Sequence, residues 1–149
     1  MKVINNRKVA IVGCGFVGSS IAFCLMQSGL FSEMVLIDAD HDRAEGEALD
    51  IAHGIPFIGH VDIYAGGYDD IVDAAIVIIT AGANQKPDET RLDLVHKNVA
   101  IFKSIIPEIA SRNSGASSCR IESCGHSYLC CVQTQQYAGE QSHWFGNGA

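Results

Sequence analysis

Short apolar runs alternate with longer amphipathic stretches along the first 113 residues, and that alternation sets the expected architecture. Residues 8–13 (Lys-Val-Ala-Ile-Val-Gly) form a β-branched run ending in glycine, the pattern of a strand buried on both faces. Residues 16–29 follow at helical spacing, with Val17, Ile21, Leu25 and Met26 on one side and Gly29 as the stop. Residues 34–37 read as a second buried strand ending at Asp38, residues 41–53 as a helix with an acidic outer face, and residues 61–65 as a third strand. A short polar piece at 68–73 precedes a fourth, strongly apolar strand at 75–80. Residues 91–112 carry Leu92, Val95, Val99, Phe102, Ile106 and Ile109 at three- and four-residue steps, which predicts an amphipathic helix of about six turns. Pro107 lacks a backbone donor and should bend that helix near Ser104. Strands alternating with helices imply an α/β fold, a parallel sheet with helices on both faces.

The pattern breaks after Asn113. Residues 1–113 hold 24 of the 27 Lys, Arg, Asp and Glu, whereas residues 114–149 hold only Arg120, Glu122 and Glu140. Four of the six cysteines fall in this tail, and no helix or strand period is visible there. Cys119, Cys124, Cys130, Cys131, His126 and His143 suggest zinc, but their spacing fits no common pair-plus-pair pattern, and adjacent cysteines rarely share one ion. No metal site is expected.

Composition narrows the class further. A chain of 149 residues with 48% hydrophobic and 18% charged residues has room for one core and not for two full domains. Its net charge of -7, without clustered Lys or Arg, argues against nucleic acid or an anionic membrane as partner. Lys2, Arg7 and Lys8 precede an apolar run, and Ile11-Val12-Gly13-Cys14 resembles a lipoprotein cleavage box. The run from Val9 to Val12 is nevertheless shorter than the roughly 7–15 residues of an export signal, and no stretch approaches the roughly 18 of a membrane span. A cytoplasmic location is expected, with Cys14 and Cys24 as reduced thiols in a packed interior.

The chemistry starts at Gly13-Cys14-Gly15-Phe16-Val17-Gly18. A GxGxxG turn is weak evidence alone, but this one follows a buried strand, opens a helix, and has Asp38 twenty residues beyond Gly18 at the end of the next strand. The first glycine makes the turn, the second lets a pyrophosphate approach the backbone, and the third lets helix and strand pack closely. Free N–H groups and the positive dipole end of the helix suit the phosphates. Gly13, Gly15, Phe16, Val17 and Gly18 are thus candidate cofactor contacts. Asp38 would accept hydrogen bonds from the adenosine ribose hydroxyls and repel the extra phosphate of NADP, so NAD is the expected dinucleotide. Asp40 or Asp42 suits the capping role that Asp38 could otherwise fill.

With these, the segments GCGFVGSS, VLIDAD, AEGEALDIAHG, TAGANQKPDETRLDLV and KNVAIFKSIIPEI make residues 5–113 resemble the bacterial L-lactate dehydrogenases, within the lactate/malate dehydrogenase family. The resemblance implies a Rossmann-type NAD-binding domain over residues 1–113, and an NAD-dependent oxidoreductase of fermentative or glycolytic carboxylic-acid metabolism acting on pyruvate and lactate. Val17, Asp38, Arg43, Tyr68, Gly82, Ala83 and Ser104 match cofactor-contacting positions, Arg43 standing where lysine is frequent. Gln85 matches the position where malate dehydrogenases carry an arginine for a second carboxylate, and its neutral amide suits the methyl of pyruvate. Arg91 matches the loop arginine that polarises the substrate carbonyl. Asp88 departs from the usual glycine of that loop, which puts its closure in question. His53 reads as structural and His41, His60 and His96 as surface residues, because the resemblance places the proton-transferring histidine beyond residue 149. It also implies homotetramers for intact members. Malate dehydrogenase and a stand-alone NAD-binding module are the competing readings.

The genetic code accounts for the tail. If Ile121 to Gly148 is back-translated with permitted codons and read one nucleotide downstream, it can spell SNPVDILTYAAFKLSNMPENRVIGSGTV, a lactate dehydrogenase continuation. A frameshift near codon 113 would make residues 114–149 an aberrant, disordered tail. The expected remainder is an incomplete, four-stranded sheet with an open edge, inactive on its own.

Overall fold

The computed structural model describes residues 4–84, 89–113, 117–120 and 130–133, the last two segments by backbone alone. Strand β1 (Asn5–Val12) leads through helix α1 (Phe16–Ser28) to β2 (Glu33–Ile37). Helix α2 (His41–Ala52), β3 (Asp62–Ala65) and β4 (Ala74–Ile79) follow, with 3-10 turns at Ile55–Phe57 and Tyr68–Ile71. Helix α3 (Arg91–Arg112), β5 (Ser117–Arg120) and β6 (Cys130–Gln133) complete the described elements.

One sheet contains all six strands in the order β3-β2-β1-β4-β5-β6. Pairing is parallel from β3 through β5, and β6 runs antiparallel to β5. Alternate residues of β1 serve opposite cores, because successive side chains of a strand point to opposite faces. Val9 and Ile11 pack with Ala22, Met26 and Ile51 on the α1/α2 face. Ala10 and Val12 pack with Val77, Phe102 and Ile109 on the α3 face. Both faces are covered, as the unbroken apolar runs require.

Helix ends follow their sequence signals. Gly29 closes α1 in the left-handed region at φ 65 and donates its N–H to Met26 O. The Asp40 carboxylate caps α2 by accepting from Arg43 N at 3.4 Å. Thr90 and Asp93 form a reciprocal capping box at the start of α3. Pro107 lies inside that helix, which continues to Arg112. Past it, the Asn113 side chain donates to Ala74 O at 2.8 Å and tethers the helix end to β4.

Three expectations about α1 and α3 need correction. The inner stripe of α3 is Leu94, Asn98, Phe102, Ile105 and Ile109, while Leu92, Val95, Val99 and Ile106 are exposed. Counting large apolar side chains misplaces this face, because Asn98 interrupts the true stripe with a polar residue whose hydrogen bond is satisfied internally. On α1 the innermost residues are Gly18, Ala22 and Met26, with Val17, Ile21 and Leu25 half-buried at the flanks. Small residues lead there because the helix approaches the glycine turn too closely for larger ones. Cys14 is buried as expected, but Cys24 is exposed on the outer side of α1.

The sheet also crosses Asn113. No strand period is visible beyond that residue, yet β5 lies parallel to β4 with Ile76 opposite Ser117 and Ile79 opposite Arg120. An open edge offers N–H and C=O groups to any extended backbone, whatever its side chains. The sheet therefore has six described strands, where four ending in an open edge were expected.

At the lower end of the sheet, Lys8 is 5% exposed and bridges Glu33 at 2.9 Å and Asp73 at 2.8 Å. Burial alone would lower its pKa, but the Asp73 and Glu33 carboxylates outweigh burial and raise it. Tyr64 donates to Glu33 at 2.8 Å. This charged cluster joins β1, β2, β3 and the start of β4, and leaves the opposite end of the sheet to the site.

Candidate functional site

The sequence direction reverses across the sheet between β1 and β4, the switch point where an open parallel sheet leaves a crevice beyond its strand ends. Val12, Asp38 and Thr80 bring the ends of β1, β2 and β4 together there, around a cleft of about 570 Å³.

The glycine turn forms its floor. Gly13 adopts φ +102, and a Cβ there would stand 2.5 Å from Ala81 N. A Cβ on Gly18 would fall 1.9 Å from Gly13 O and 2.8 Å from Thr80 Oγ1, so α1 can approach β1 and β4 only without a side chain at that position. Gly15 differs, because a Cβ on it would meet no protein atom within 4 Å. Packing thus accounts for the first and third glycines, and the middle one borders open space of the kind a phosphate needs.

Helix α1 supplies the donors. Gly15 is its N-cap without a side-chain hydrogen bond, and the first turn has no acidic residue. Ser19 N makes the first helical bond, to Gly15 O at 2.9 Å. The N–H groups of Phe16, Val17 and Gly18 therefore have no intrahelical acceptor, and the dipole adds partial positive charge beside them. An anion fits.

Asp38 is held from both sides. Cys14 N donates to Oδ2 at 2.6 Å and Asp40 N donates to Oδ1 at 3.0 Å. Each carboxylate oxygen has a second lone pair, so the pinned group can still accept ribose hydroxyls at the cleft. Cys14, between the two glycines, is 1% exposed and donates its thiol to Ile37 O. Burial first, and the charge of Asp38 second, push that thiol up to about 12. It stays protonated and unreactive.

Gly13, Gly15, Phe16, Val17, Asp38, Arg43, Tyr68, Gly82 and Ser104 all line this cleft. Burial raises the pKa of Tyr68 and keeps the phenol neutral, with Glu108 adding to the effect. Ser104 donates to Ile101 O at 2.7 Å. Gly18 sits behind the lining as packing, and Ala83, also outside the lining, donates its N–H to Asn98 Oδ1 at 2.8 Å. Arg91 is the first residue of α3, exposed and outside the lining. Gln85 and Asp88 lie outside the described residues.

Sequence reasoning missed Thr80 and Asn98. The Thr80 hydroxyl donates to Gly13 O at 2.6 Å and its N–H to Val12 O at 2.8 Å, which locks the β4 end to the turn. A hydroxyl closing an apolar strand was the available signal. Asn98 could have been found as the polar residue inside the stripe from Leu94 to Phe102. Ile101 and Ile105 supply an apolar wall that spacing alone does not single out.

Residues 7–122 match the lactate/malate dehydrogenase NAD binding domain family. The L-lactate dehydrogenase of Thermoanaerobacterium saccharolyticum is 57% identical over 109 residues, covering 73% of this chain and 35% of that protein. That of Priestia megaterium is 57% identical over 110 residues, covering 74% and 34%. The ligand-bound minor L-lactate dehydrogenase of Enterococcus mundtii superposes with a TM-score of 0.76 at 42% identity, covering 80% of this chain and 38% of that one. Malate dehydrogenase of Archaeoglobus fulgidus in complex with NADH superposes with a TM-score of 0.74 at 36% identity, covering 78% and 40%. The chain spans about a third of the length of the curated relatives it matches. It belongs to the lactate/malate dehydrogenase family, as an example of that family's NAD-binding domain.

Proposed function

We propose that this chain carries the cofactor half of an NAD-dependent L-lactate dehydrogenase. The observation that supports it most is the convergence on one cleft of a pinned Asp38, the unfilled space before Gly15 and the free N–H groups of α1. When bound, NAD supplies the hydride acceptor for lactate, and its reduced form the donor for pyruvate. Asp38 accepts the ribose hydroxyls and disfavours a phosphate in their place. The first turn of α1 holds the pyrophosphate, and Tyr68 and Arg43 border the adenosine end. The β4 side of the crevice, with Gly82 and Ser104, receives the nicotinamide end. Arg91 polarises the substrate carbonyl, and Gln85 accommodates a methyl group because it brings no cation for a second carboxylate.

Malate dehydrogenase is disfavoured by that amide. Homotetrameric assembly and a cytoplasmic location follow from the family resemblance. No described helix is long and apolar enough to cross a membrane. The described residues lining the cleft include no histidine to exchange the substrate hydroxyl proton, so this chain should bind the dinucleotide without turning it over.

Titration of the 149-residue chain with NADH and NADPH tests the cofactor reading. NADH should bind in preference, and Asp38→Ala should weaken NADH by about tenfold, the loss expected for hydrogen bonds to a charged acceptor, while narrowing the preference. Equal binding of both dinucleotides would defeat it. The substrate reading is tested by grafting residues 7–113 onto the remainder of the Thermoanaerobacterium saccharolyticum enzyme. That chimera should reduce pyruvate over oxaloacetate, and Gln85→Arg should reverse the order.

A further inference from the structure

Among the described residues, Asn98 is the one buried polar side chain within α3, only 6% exposed, on the same stripe as Leu94 and Phe102. Its Oδ1 accepts the N–H of Ala83 at 2.8 Å, fifteen residues away in sequence. A Cβ placed on Gly82 would stand 3.5 Å from the same oxygen, so the amide also packs against the preceding residue. Ala81, Gly82 and Asn84 line the cleft and Ala83 does not. The loop after β4 thus presents its neighbours to the cleft while Ala83 is fastened from behind. Ala83 belongs to no helix or strand, so no backbone ladder would satisfy its donor if the Asn98 acceptor were lost.

We propose that Asn98 is a positioning residue for the dinucleotide: it fixes the 82–83 peptide to the rigid helix α3 and thereby sets the β4 side of the cleft. The role rests on the NAD reading above and adds to it a residue that does not touch the cleft. Asp38 and Arg43 at the other end of the cleft are carried by the end of β2 and by α2, not by α3. Loss of Asn98 should therefore be felt by a whole dinucleotide and not by its adenosine half.

The test compares Asn98→Leu, which keeps the approximate shape without the acceptor, with Asn98→Asp, which keeps an acceptor. Binding of NADH and of AMP to the full chain is measured for each, together with hydrogen exchange at the Ala83 amide. Asn98→Leu should weaken NADH by about tenfold, leave AMP affinity unchanged and speed Ala83 exchange, the signature of one lost buried hydrogen bond. Asn98→Asp should restore all three towards wild type. If Asn98→Leu does not fold, Asn98→Ser, too short to reach Ala83, takes its place with the same expected outcome. Unchanged NADH affinity, or equal weakening of NADH and AMP, would overturn the positioning role. Failure of the wild-type chain to bind NADH would instead remove the NAD reading, and unaltered Ala83 exchange would then also remove the clamp.

Discussion

Gly18 and Cys14 show how closely single residues are constrained at the glycine turn. A methyl group at Gly18 would collide with a backbone carbonyl, and backbone cannot swing aside as a flexible side chain can. Gly18→Ala should therefore cost about 1–3 kcal/mol, as overpacking does, and weaken NADH because α1 is pushed off the turn. Denaturant melts and an NADH titration would measure the two effects. Cys14 gives a pH prediction. Its folded-state pKa of about 12 lies above the ordinary value of 9.0, so folding favours the protonated thiol. The resulting stability is fully present below pH 9 and is lost progressively as pH rises towards 12. Thiol-reactive probes should label exposed Cys24 in the folded chain and reach Cys14 only on unfolding. Equal labelling rates would contradict this. That Asp38 and the glycine turn share one cleft was legible, because residue type and spacing carry it. Thr80 and Asn98 act through contacts 67 and 15 residues away, which no local pattern reveals.

Helix α3 makes the same point for an element. Its existence and extent were readable from a sustained apolar period, yet its inner face was not, since two apolar stripes compete on its surface. The stripe that packs is the one containing Asn98, because the loop after β4 supplies a donor for it. Phe102, 4% exposed, belongs to both the expected and the observed face. Truncation of Phe102 to alanine should cost about 3–5 kcal/mol, whereas Leu92→Ala, at a position 67% exposed, should stay within about 0.5 kcal/mol. Comparable losses at the two positions would return the helix to the face that counting large residues suggests. Strands β1, β2 and β4 were easier to read, because each packs into a core on both faces and needs no choice of face.

For the whole molecule, the decisive feature is that the sheet does not end at β4. The sequence changes character at Asn113, but β5 and β6 continue the hydrogen-bonded ladder, β5 from the largely polar Ser117, Ser118, Cys119 and Arg120. Backbone pairing can recruit such a segment because the edge of β4, carrying Ile76 to Ile79, would otherwise expose a flat apolar template. Among the described residues the lining of the cleft comes from positions between Val12 and Ile105, while the added strands lie along the edge of β4. A chain cut after Asn113 should consequently keep its NADH affinity within about twofold while self-associating, since exposed strands pair with other copies of themselves. Light scattering during an NADH titration separates the two behaviours. A monodisperse truncated chain with intact binding would mean that β4 needs no covering strand. Loss of NADH binding without association would mean that β5 supports the cleft through β4.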